Sequence, residues 1–203
     1  MTLKLATIDG VNVTKMPRRA PNKVLRTREH LTPTEVDKLF AALRKNHYGH
    51  RDSTMALLAY RHGLRAAEVC DLRWDQVDFN SATLHVRRVK NGTPATHPLT
   101  GDEMRALRRL KRESPESPFM FVSERKTPFT VGGFRRMIER AAKAAELGIK
   151  VHPHMLRHAC GYTLANKGTD TRTLQAYLGH RNISNTVRYT ELAPGRFKGL
   201  WQD

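Results

Sequence analysis

The sequence has few cysteines and no long apolar run, and each shortage excludes a class of protein. Two cysteines, Cys70 and Cys160, occur among 203 residues without a Cys-x-x-Cys pair, so neither a disulfide scaffold nor a structural zinc site is expected. No stretch approaches the roughly 20 apolar residues of a membrane helix, and the first residues, MTLKLATIDG, lack the apolar core of a signal peptide. These features predict buried thiols and a soluble, cytoplasmic protein without a membrane partner.

Acidic residues are scarce as well. Asp and Glu total 19 against 36 Lys and Arg, which gives a formal net charge of +17. Such an excess predicts a polyanionic partner, and nucleic acid fits it best. Ribosomal proteins and other non-catalytic nucleic-acid binders share this composition, so charge indicates a partner and no reaction. Since clustered carboxylates are rare, a nuclease that holds paired metal ions fits poorly, and neither a metal nor a cofactor is expected.

The basic residues are densest near the start of the chain. Residues 14–28 carry six of them, no acid and two prolines, a composition typical of an extended or disordered segment. Residues 1–29 are therefore predicted to form a flexible basic arm, either solvated or in contact with phosphates. Its candidate DNA-binding residues are Lys15, Arg18, Arg19, Lys23, Arg26 and Arg28.

Residues 30–203 have the pattern of one mainly helical domain. Thr32 with Glu35 predicts a capping box at the start of a first helix. Helices are expected at about 52–62, from 65 onward, and at 101–113, 131–147, 154–167, 171–178 and 184–190. Alternating β-formers on both sides of Asn91-Gly92 predict a hairpin between 77 and 99. The expected fold is mainly α with a small antiparallel β-sheet, an α+β domain.

Four segments carry side chains suited to opening a phosphodiester, which requires a nucleophile, cations around the phosphate oxygens and an acid for the leaving oxygen. The segments are Gly63-Leu64-Arg65 with Glu68, His152-Pro-His154-Met-Leu-Arg157-His158, Leu178-Gly179-His180, and Tyr189, nine residues after His180. Each has an ordinary explanation when taken alone. The arginine could form a surface ion pair, the two histidines half of a metal site, Gly-His a helix end, and the tyrosine a half-buried ring.

Together and in this order, the motifs resemble the tyrosine recombinase (phage integrase-like) family from about Leu31 to the end of the chain. A lysine in the hairpin, Lys90, completes the set. The likeness is strongest to the short bacterial recombinases that invert the fimbrial phase-variation switch, through Ala-Tyr-Arg-His-Gly at 59–63, His-Pro-His-Met-Leu-Arg-His-Ala-Cys-Gly-Tyr at 152–162 and Gly-His-Arg-Asn-Ile at 179–183. Most members of that family also have an N-terminal DNA-clamping domain, for which the thirty residues before the matched part are too few.

The resemblance implies a role for each matched residue. Two arginines would clamp the scissile phosphate through rigid, permanently charged guanidinium groups, and Tyr189 would attack it to form a 3′-phosphotyrosyl bond. Glu68 would support the site, and the position of His158 is usually structural. Arg87 and Arg88 compete with Lys90, but an arginine does not readily release a proton. The implied catalytic set is Arg65, Lys90, His154, Arg157, His180 and Tyr189.

The resemblance also implies partners: double-stranded DNA and a homo-tetramer assembled on it. Because so few residues precede the matched part, weak, salt-sensitive binding and reliance on DNA-bending accessory proteins are expected as well. An apolar set after Tyr189, formed by Phe197, Leu200 and Trp201, is expected to dock either on its own core or on a neighbouring protomer. DNA inversion, integration and excision remain open as outcomes. The alternative functions are a type IB topoisomerase-like enzyme, a non-catalytic DNA-binding relative and, more remotely, a metal-dependent nuclease.

Overall fold

The computed structural model describes residues 28–89, 92–113 and 116–191. Within these ranges the chain forms eight α-helices, a short 3₁₀ turn and a small sheet, which confirms the predicted fold class. None of these helices is both long enough and apolar enough to cross a membrane. The helices are α1 (Pro33–Arg44), α2 (Gly49–Arg61), α3 (Ala66–Cys70), α4 (Gly101–Glu113), α5 (Val131–Ala144), α6 (Pro153–Asn166), α7 (Thr171–Leu178) and α8 (Ser184–Glu191).

The first helix begins as its sequence predicts. The Oγ1 atom of Thr32 accepts a hydrogen bond from the Glu35 amide, and the Glu35 carboxylate accepts one from the Thr32 amide at 2.8 Å. This reciprocal capping satisfies two amides that have no partner within the helix. Val36, Leu39 and Leu43 then recur at helical spacing and are buried.

The sheet has three antiparallel strands in the order β1-β2-β3, formed by β1 (Val77–Asp78), β2 (Thr83–Val86) and β3 (Ala95–Pro98). In the longer pair, Thr83 lies opposite Pro98 and Val86 opposite Ala95. The predicted hairpin is therefore present as two paired strands. Lys90 and Asn91, near its tip, lie outside the described residues.

Helix α2 is central to the packing, since it contacts α1, α4 and α6. The main core surrounds it and includes Leu39, Met55, Leu107 and Phe134. A second, smaller core is built from Cys160, Leu174, Leu178 and Tyr189 where α6, α7 and α8 meet. Both cysteines are free and buried, as predicted. The last three helices therefore share a core that is separate from the main one.

Candidate active site

Two glycines shape the backbone at the site. Gly63 ends α2 with a φ of +55°, and Gly179 ends α7 with a φ of +64°. Residues other than glycine rarely adopt a positive φ. In addition, a Cβ atom at Gly63 would lie 2.5 Å from Cδ2 of Leu178. The two turns thus pack closely. The turn at Gly63 positions Arg65, and the turn at Gly179 positions His180.

Glu68 organises the side of the site formed by α3. Its buried carboxylate accepts hydrogen bonds from the Arg65 amide at 2.9 Å, from Nη1 of Arg65 at 2.6 Å, from Nη1 of Arg88 at 2.9 Å and from the Val89 amide at 3.1 Å. Desolvation acts to raise the pKa of Glu68, but the Arg65 amide and the charge of Arg88 outweigh it and hold the pKa below its usual value. An ionised carboxylate therefore holds Arg65 and the segment that follows β2 together.

Arg157 links three of the sequence motifs. It lies in α6 and is 1% exposed. Its Nη1 donates to the Gly63 carbonyl, and its Nη2 donates to the Leu178 carbonyl at 2.7 Å. Desolvation, followed by the charge of Arg65, lowers the pKa of Arg157 to about 10, so it stays positive at neutral pH. Arg157 is thus fixed between the turn before Arg65 and the turn before His180.

The two candidate histidines are neutral at pH 7. Although His154 is exposed, desolvation of its ring and then the Arg157 guanidinium lower its pKa to about 4. His180 is half-buried, and its Nδ1 lies 2.8 Å from Oγ1 of Thr186. Desolvation and the charge of Arg157 lower its pKa to about 3. Among the site residues that the structure describes, the fixed positive charge therefore comes from arginines, and the neutral imidazoles can take part in hydrogen bonds.

Tyr189 lies against the same cluster. It is 1% exposed, and its ring packs on the Cα atom of Gly161, where an added Cβ would lie 2.8 Å from Cζ. Its hydroxyl oxygen is 2.8 Å from Nδ1 of His158, and its ring is nearly parallel to that of His180 at 6.4 Å. Desolvation raises the pKa of Tyr189 and outweighs the opposing charges of Arg188 and Arg157. In this state the hydroxyl is protonated and docked beside the arginines.

Comparison with known proteins identifies the family. The family model described as "Phage integrase family" matches residues 29–196. This chain belongs to the phage integrase (tyrosine recombinase) family. It is 42% identical over 181 residues to the type 1 fimbriae regulatory protein FimE of Escherichia coli K12, a match that covers 86% of this chain and 91% of FimE. It is 39% identical over 191 residues to FimB of the same strain, with 92% of this chain and 94% of FimB covered.

Solved structures of recombinases and integrases share the fold. A crystal structure of XerA recombinase superposes with a TM-score of 0.73 at 25% sequence identity, over 88% of this chain and 66% of XerA. A fragment of the Tn1549 transposon integrase, solved in complex with a circular intermediate DNA, gives a TM-score of 0.70 at 20% identity, over 79% of this chain and 60% of that fragment. The likeness to the integrase concerns the fold alone.

The site brings together most of the predicted tyrosine recombinase residues. The side chains of Arg65, His154, Arg157, His180 and Tyr189 come from or adjoin four helices, α3, α6, α7 and α8. Arg65 and Arg157 each lower the pKa of both candidate histidines. Lys90, the arm residues Lys15, Arg18, Arg19, Lys23 and Arg26, and the C-terminal set Phe197, Leu200 and Trp201 lie outside the described residues. Arg28 is described, and its Nη2 pairs with Oε1 of Glu35 at 2.5 Å.

Three residues outside the predicted catalytic set contact this cluster. Arg88, weighed in the sequence only as a rival to Lys90, has a fully buried side chain paired with Glu68 and also donates to the carbonyls of His62 and Tyr177. His158 and Arg188 contact each other, and His158 contacts the Tyr189 hydroxyl. The spacing of His158 from His154 signals a shared helix face, but nothing in the sequence signals its contact with Tyr189.

The histidines of α6 contact each other. Among residues 28–89, 92–113 and 116–191, no group of three or more His, Cys, Asp or Glu side chains is arranged to hold a metal ion. The rings of His154 and His158 instead stack edge to face, with centroids 4.4 Å apart.

Proposed function

We propose that this chain is a site-specific DNA recombinase that breaks and rejoins DNA through a covalent bond between Tyr189 and a 3′ phosphate. The observation that carries the proposal is the position of the Tyr189 hydroxyl beside a cluster of guanidinium and imidazole groups drawn from distant parts of the sequence. Membership of the phage integrase family supports the same reaction.

The proposed reaction divides the work among the clustered groups. The oxygen of Tyr189 attacks the phosphorus, and the bond to the 5′ oxygen breaks as the new ester forms. Arg65 and Arg157 neutralise the charge that develops on the phosphate oxygens, with hydrogen bonds from His180. His154 takes the tyrosine proton, and Lys90 protonates the leaving 5′ oxygen.

Rejoining reverses these steps. A 5′ hydroxyl from another strand attacks the phosphotyrosine, returns the phosphodiester and frees Tyr189. The ester retains the bond energy, so the proposal needs no nucleotide cofactor and no metal. Because Tyr189 is almost fully buried, we propose that DNA binding shifts α8 enough to expose its hydroxyl to the phosphate while the hydroxyl stays within hydrogen-bond reach of α6.

Double-stranded DNA is the proposed partner, with the protein acting in the cytoplasm as a tetramer that spans two sites. The net charge of +17 supports this partner, and the related Tn1549 integrase was solved with DNA. The basic arm would contact phosphates, and DNA-bending proteins would assist assembly. Likeness to FimE and FimB over most of their length favours DNA inversion in the control of a surface structure over integration or excision.

Covalent trapping tests the proposal and recovers the DNA site in the same experiment. The full chain would be incubated in EDTA with a pool of nicked duplexes of random sequence, and adducts would be separated on a denaturing gel and sequenced. The expected result is an adduct that maps to Tyr189 and is absent for Tyr189→Phe. Failure of the wild-type protein to form any adduct, or an equal yield from Tyr189→Phe, would contradict the proposed chemistry.

A second assay would separate recombination from simple nicking and closing. The recovered site would be placed twice on a supercoiled plasmid, in inverted or in direct orientation. Inversion of the intervening segment supports a recombinase, whereas relaxation without exchange between sites would assign a topoisomerase-like activity instead.

A further inference from the structure

We propose that His158 and Arg188 form a positioning pair for the nucleophile: His158 accepts the hydrogen bond of the Tyr189 hydroxyl, and Arg188 holds the imidazole in its acceptor form. This inference rests on the proposed role of Tyr189. It assigns a function to two residues that the sequence motifs leave outside the catalytic set.

His158 is well placed for this role. It follows Arg157 in α6 and is 5% exposed. Its Nδ1 atom lies 2.8 Å from the Tyr189 oxygen. Its ring also contacts that of His154 edge to face, so the imidazole is held between the candidate proton acceptor and the nucleophile.

The position of Arg188 decides which partner donates. Nη2 of Arg188 lies 2.5 Å from Nδ1 of His158 and 2.9 Å from its Nε2. A guanidinium nitrogen has only protons to offer. Because Nη2 is near both ring nitrogens, it lies against the ring and is not in line with a single lone pair. A ring proton on Nε2, the farther atom, is less crowded by the guanidinium than a proton on Nδ1 would be, so we assign the proton to Nε2 and the lone pair to Nδ1. The Tyr189 hydroxyl then has to be the donor in its contact with Nδ1.

The surroundings keep this imidazole unprotonated. Desolvation, the neighbouring His154 and the charge of Arg188 lower the pKa of His158 to about 2. Arg157 and His152 act in the same direction. Tyr189 also lies against the ring; its hydroxyl receives a hydrogen bond from Arg188 as well, and it is protonated in this state. His158 thus remains an acceptor throughout the physiological pH range.

The consequence for the reaction concerns the direction of the nucleophile's lone pairs. When the hydroxyl donates to Nδ1, its proton points towards α6 and the lone pairs of the oxygen point away from His158. The proton passes to His154, the proposed acceptor on the same helix, as the phosphate ester forms. A hydroxyl held in one orientation loses less rotational freedom on reaching the transition state than a free one. His158 and Arg188 would therefore accelerate cleavage without contacting the phosphate.

Nitrogen-15 NMR of the free protein tests the hydrogen-bond roles without any DNA. In the full chain labelled at histidine, the His158 signals should report a neutral ring with its proton on Nε2, unchanged from pH 8 to pH 5. In Arg188→Gln the apparent pKa of His158 should rise. In Arg172→Gln, which removes an exposed guanidinium from α7, it should not. A proton on Nδ1, or equal behaviour of the two variants, would overturn the assignment.

Cleavage kinetics test the positioning role. The substrate is a saturating amount of the DNA site recovered by covalent trapping. With it, His158→Leu should lower the single-turnover rate of cleavage about tenfold, because the hydrogen bond to Tyr189 is lost. His158→Asn should stay within a few-fold of wild type, since its amide oxygen can accept in place of Nδ1. A packing role predicts the reverse order, because leucine fills the space of histidine better than asparagine does. Such a reverse order, or a wild-type rate for His158→Leu, would refute the role.

A double variant tests whether Arg188 acts through His158. If it does, Arg188→Gln should cleave more slowly as the pH falls, because its His158 becomes protonated. This loss should vanish in Arg188→Gln/His158→Asn, since the asparagine at position 158 cannot be protonated. An acid loss that persists would show that Arg188 acts elsewhere. Failure here with a normal Tyr189 adduct would refute only this inference, whereas absence of the adduct in wild type would refute the proposed function.

Discussion

Glu68 provides the sharpest test of how the site is held together. The perturbation is Glu68→Gln, which keeps the size of the side chain but removes the charge and replaces one acceptor by a donor. The buried carboxylate accepts four hydrogen bonds, two of them from the guanidinium groups of Arg65 and Arg88. The Arg88 side chain is 0% exposed, so its charge has no access to water when the carboxylate is lost.

The expected loss follows from that burial. Removing one partner of a buried ion pair destabilises a protein by about 3–5 kcal/mol, because the other charge stays buried. With a urea m-value of about 2 kcal/mol per molar, the unfolding midpoint should fall by about 2 M. The matched control is Glu113→Gln, whose partner Arg109 is exposed and whose loss should cost at most about 1 kcal/mol.

The pH dependence gives the prediction a sign. The folded pKa of Glu68 lies below its usual value, so the stabilisation by its carboxylate is full above the unfolded value of about 4.3. It is lost as the pH falls through the lowered folded pKa. The difference between wild type and Glu68→Gln should therefore be complete at pH 7 and narrow below about pH 4.

Urea unfolding followed by circular dichroism, at pH 7 and at steps down to about pH 3.5, measures both effects. A loss for Glu68→Gln no larger than that for Glu113→Gln would refute the claim that this carboxylate holds the site together. A difference from wild type that stays constant with falling pH would show that lost packing, and not lost charge, is responsible.

Two further substitutions test local features. Gly161→Ala should displace the ring of Tyr189, because the new methyl group would lie only 2.8 Å from its Cζ atom. The substitution should lower the free energy of unfolding by about 1–3 kcal/mol and expose the tyrosine to nitration. Gly148→Ala is the control and should do neither, since no atom lies within 4 Å of the new methyl group. Thr32→Ala should lower the free energy of unfolding by about 1 kcal/mol through the lost cap, and Thr34→Ala, exposed on the same turn, should leave it nearly unchanged; equal effects within either pair would contradict the assignment.

Local signals in the sequence were sufficient for most of the fold. The capping box at Thr32 and the helical spacing after it predict the first helix, because both depend on residues within one or two turns. The helix at 101–113 was predicted with the bounds that the structure shows. The small sheet followed from alternating β-formers on either side of a turn signal.

The roles of the basic residues after β2 were not predictable in this way. Arg87 and Arg88 are neighbours in sequence, yet the Arg87 side chain is 58% exposed and that of Arg88 is buried. Extended chain turns successive side chains in opposite directions, but the pattern does not say which of two arginines points inward. That choice is fixed by Glu68, twenty residues earlier, and only the tertiary structure shows the contact.

The contact between His158 and Tyr189 has the same origin. The two residues are thirty-one positions apart, and their meeting requires α8 to pack on α6. The family motifs direct attention to His154 because the resemblance implies a role for it in the proposed chemistry. A buried histidine one turn further along has no local feature that separates it from a core residue.

Arg157 shows how the site is prepared for an anion. Its Nη1 and Nη2 donate to backbone carbonyls, and a guanidinium carries five N–H groups, so two carbonyl bonds leave three N–H groups for other partners. Carbonyl oxygens satisfy hydrogen bonds without cancelling the charge, and a buried charge without a counterion is unfavourable. The lowered pKa of Arg157 is the expression of that cost.

An anion that reaches the cluster should therefore stabilise the folded state. Sulfate, compared with sodium chloride at equal ionic strength, should raise the melting temperature of wild type more than that of Arg157→Met. The reason is that only the wild-type protein has the guanidinium groups of both Arg65 and Arg157 to bind sulfate. Arg109→Met, which removes an exposed arginine of α4, should retain the full sulfate effect and so corrects for the general stabilisation by this salt. If Arg157→Met gains as much from sulfate as the other two proteins do, then the buried guanidinium is not an anion site, and its lowered pKa reflects burial alone.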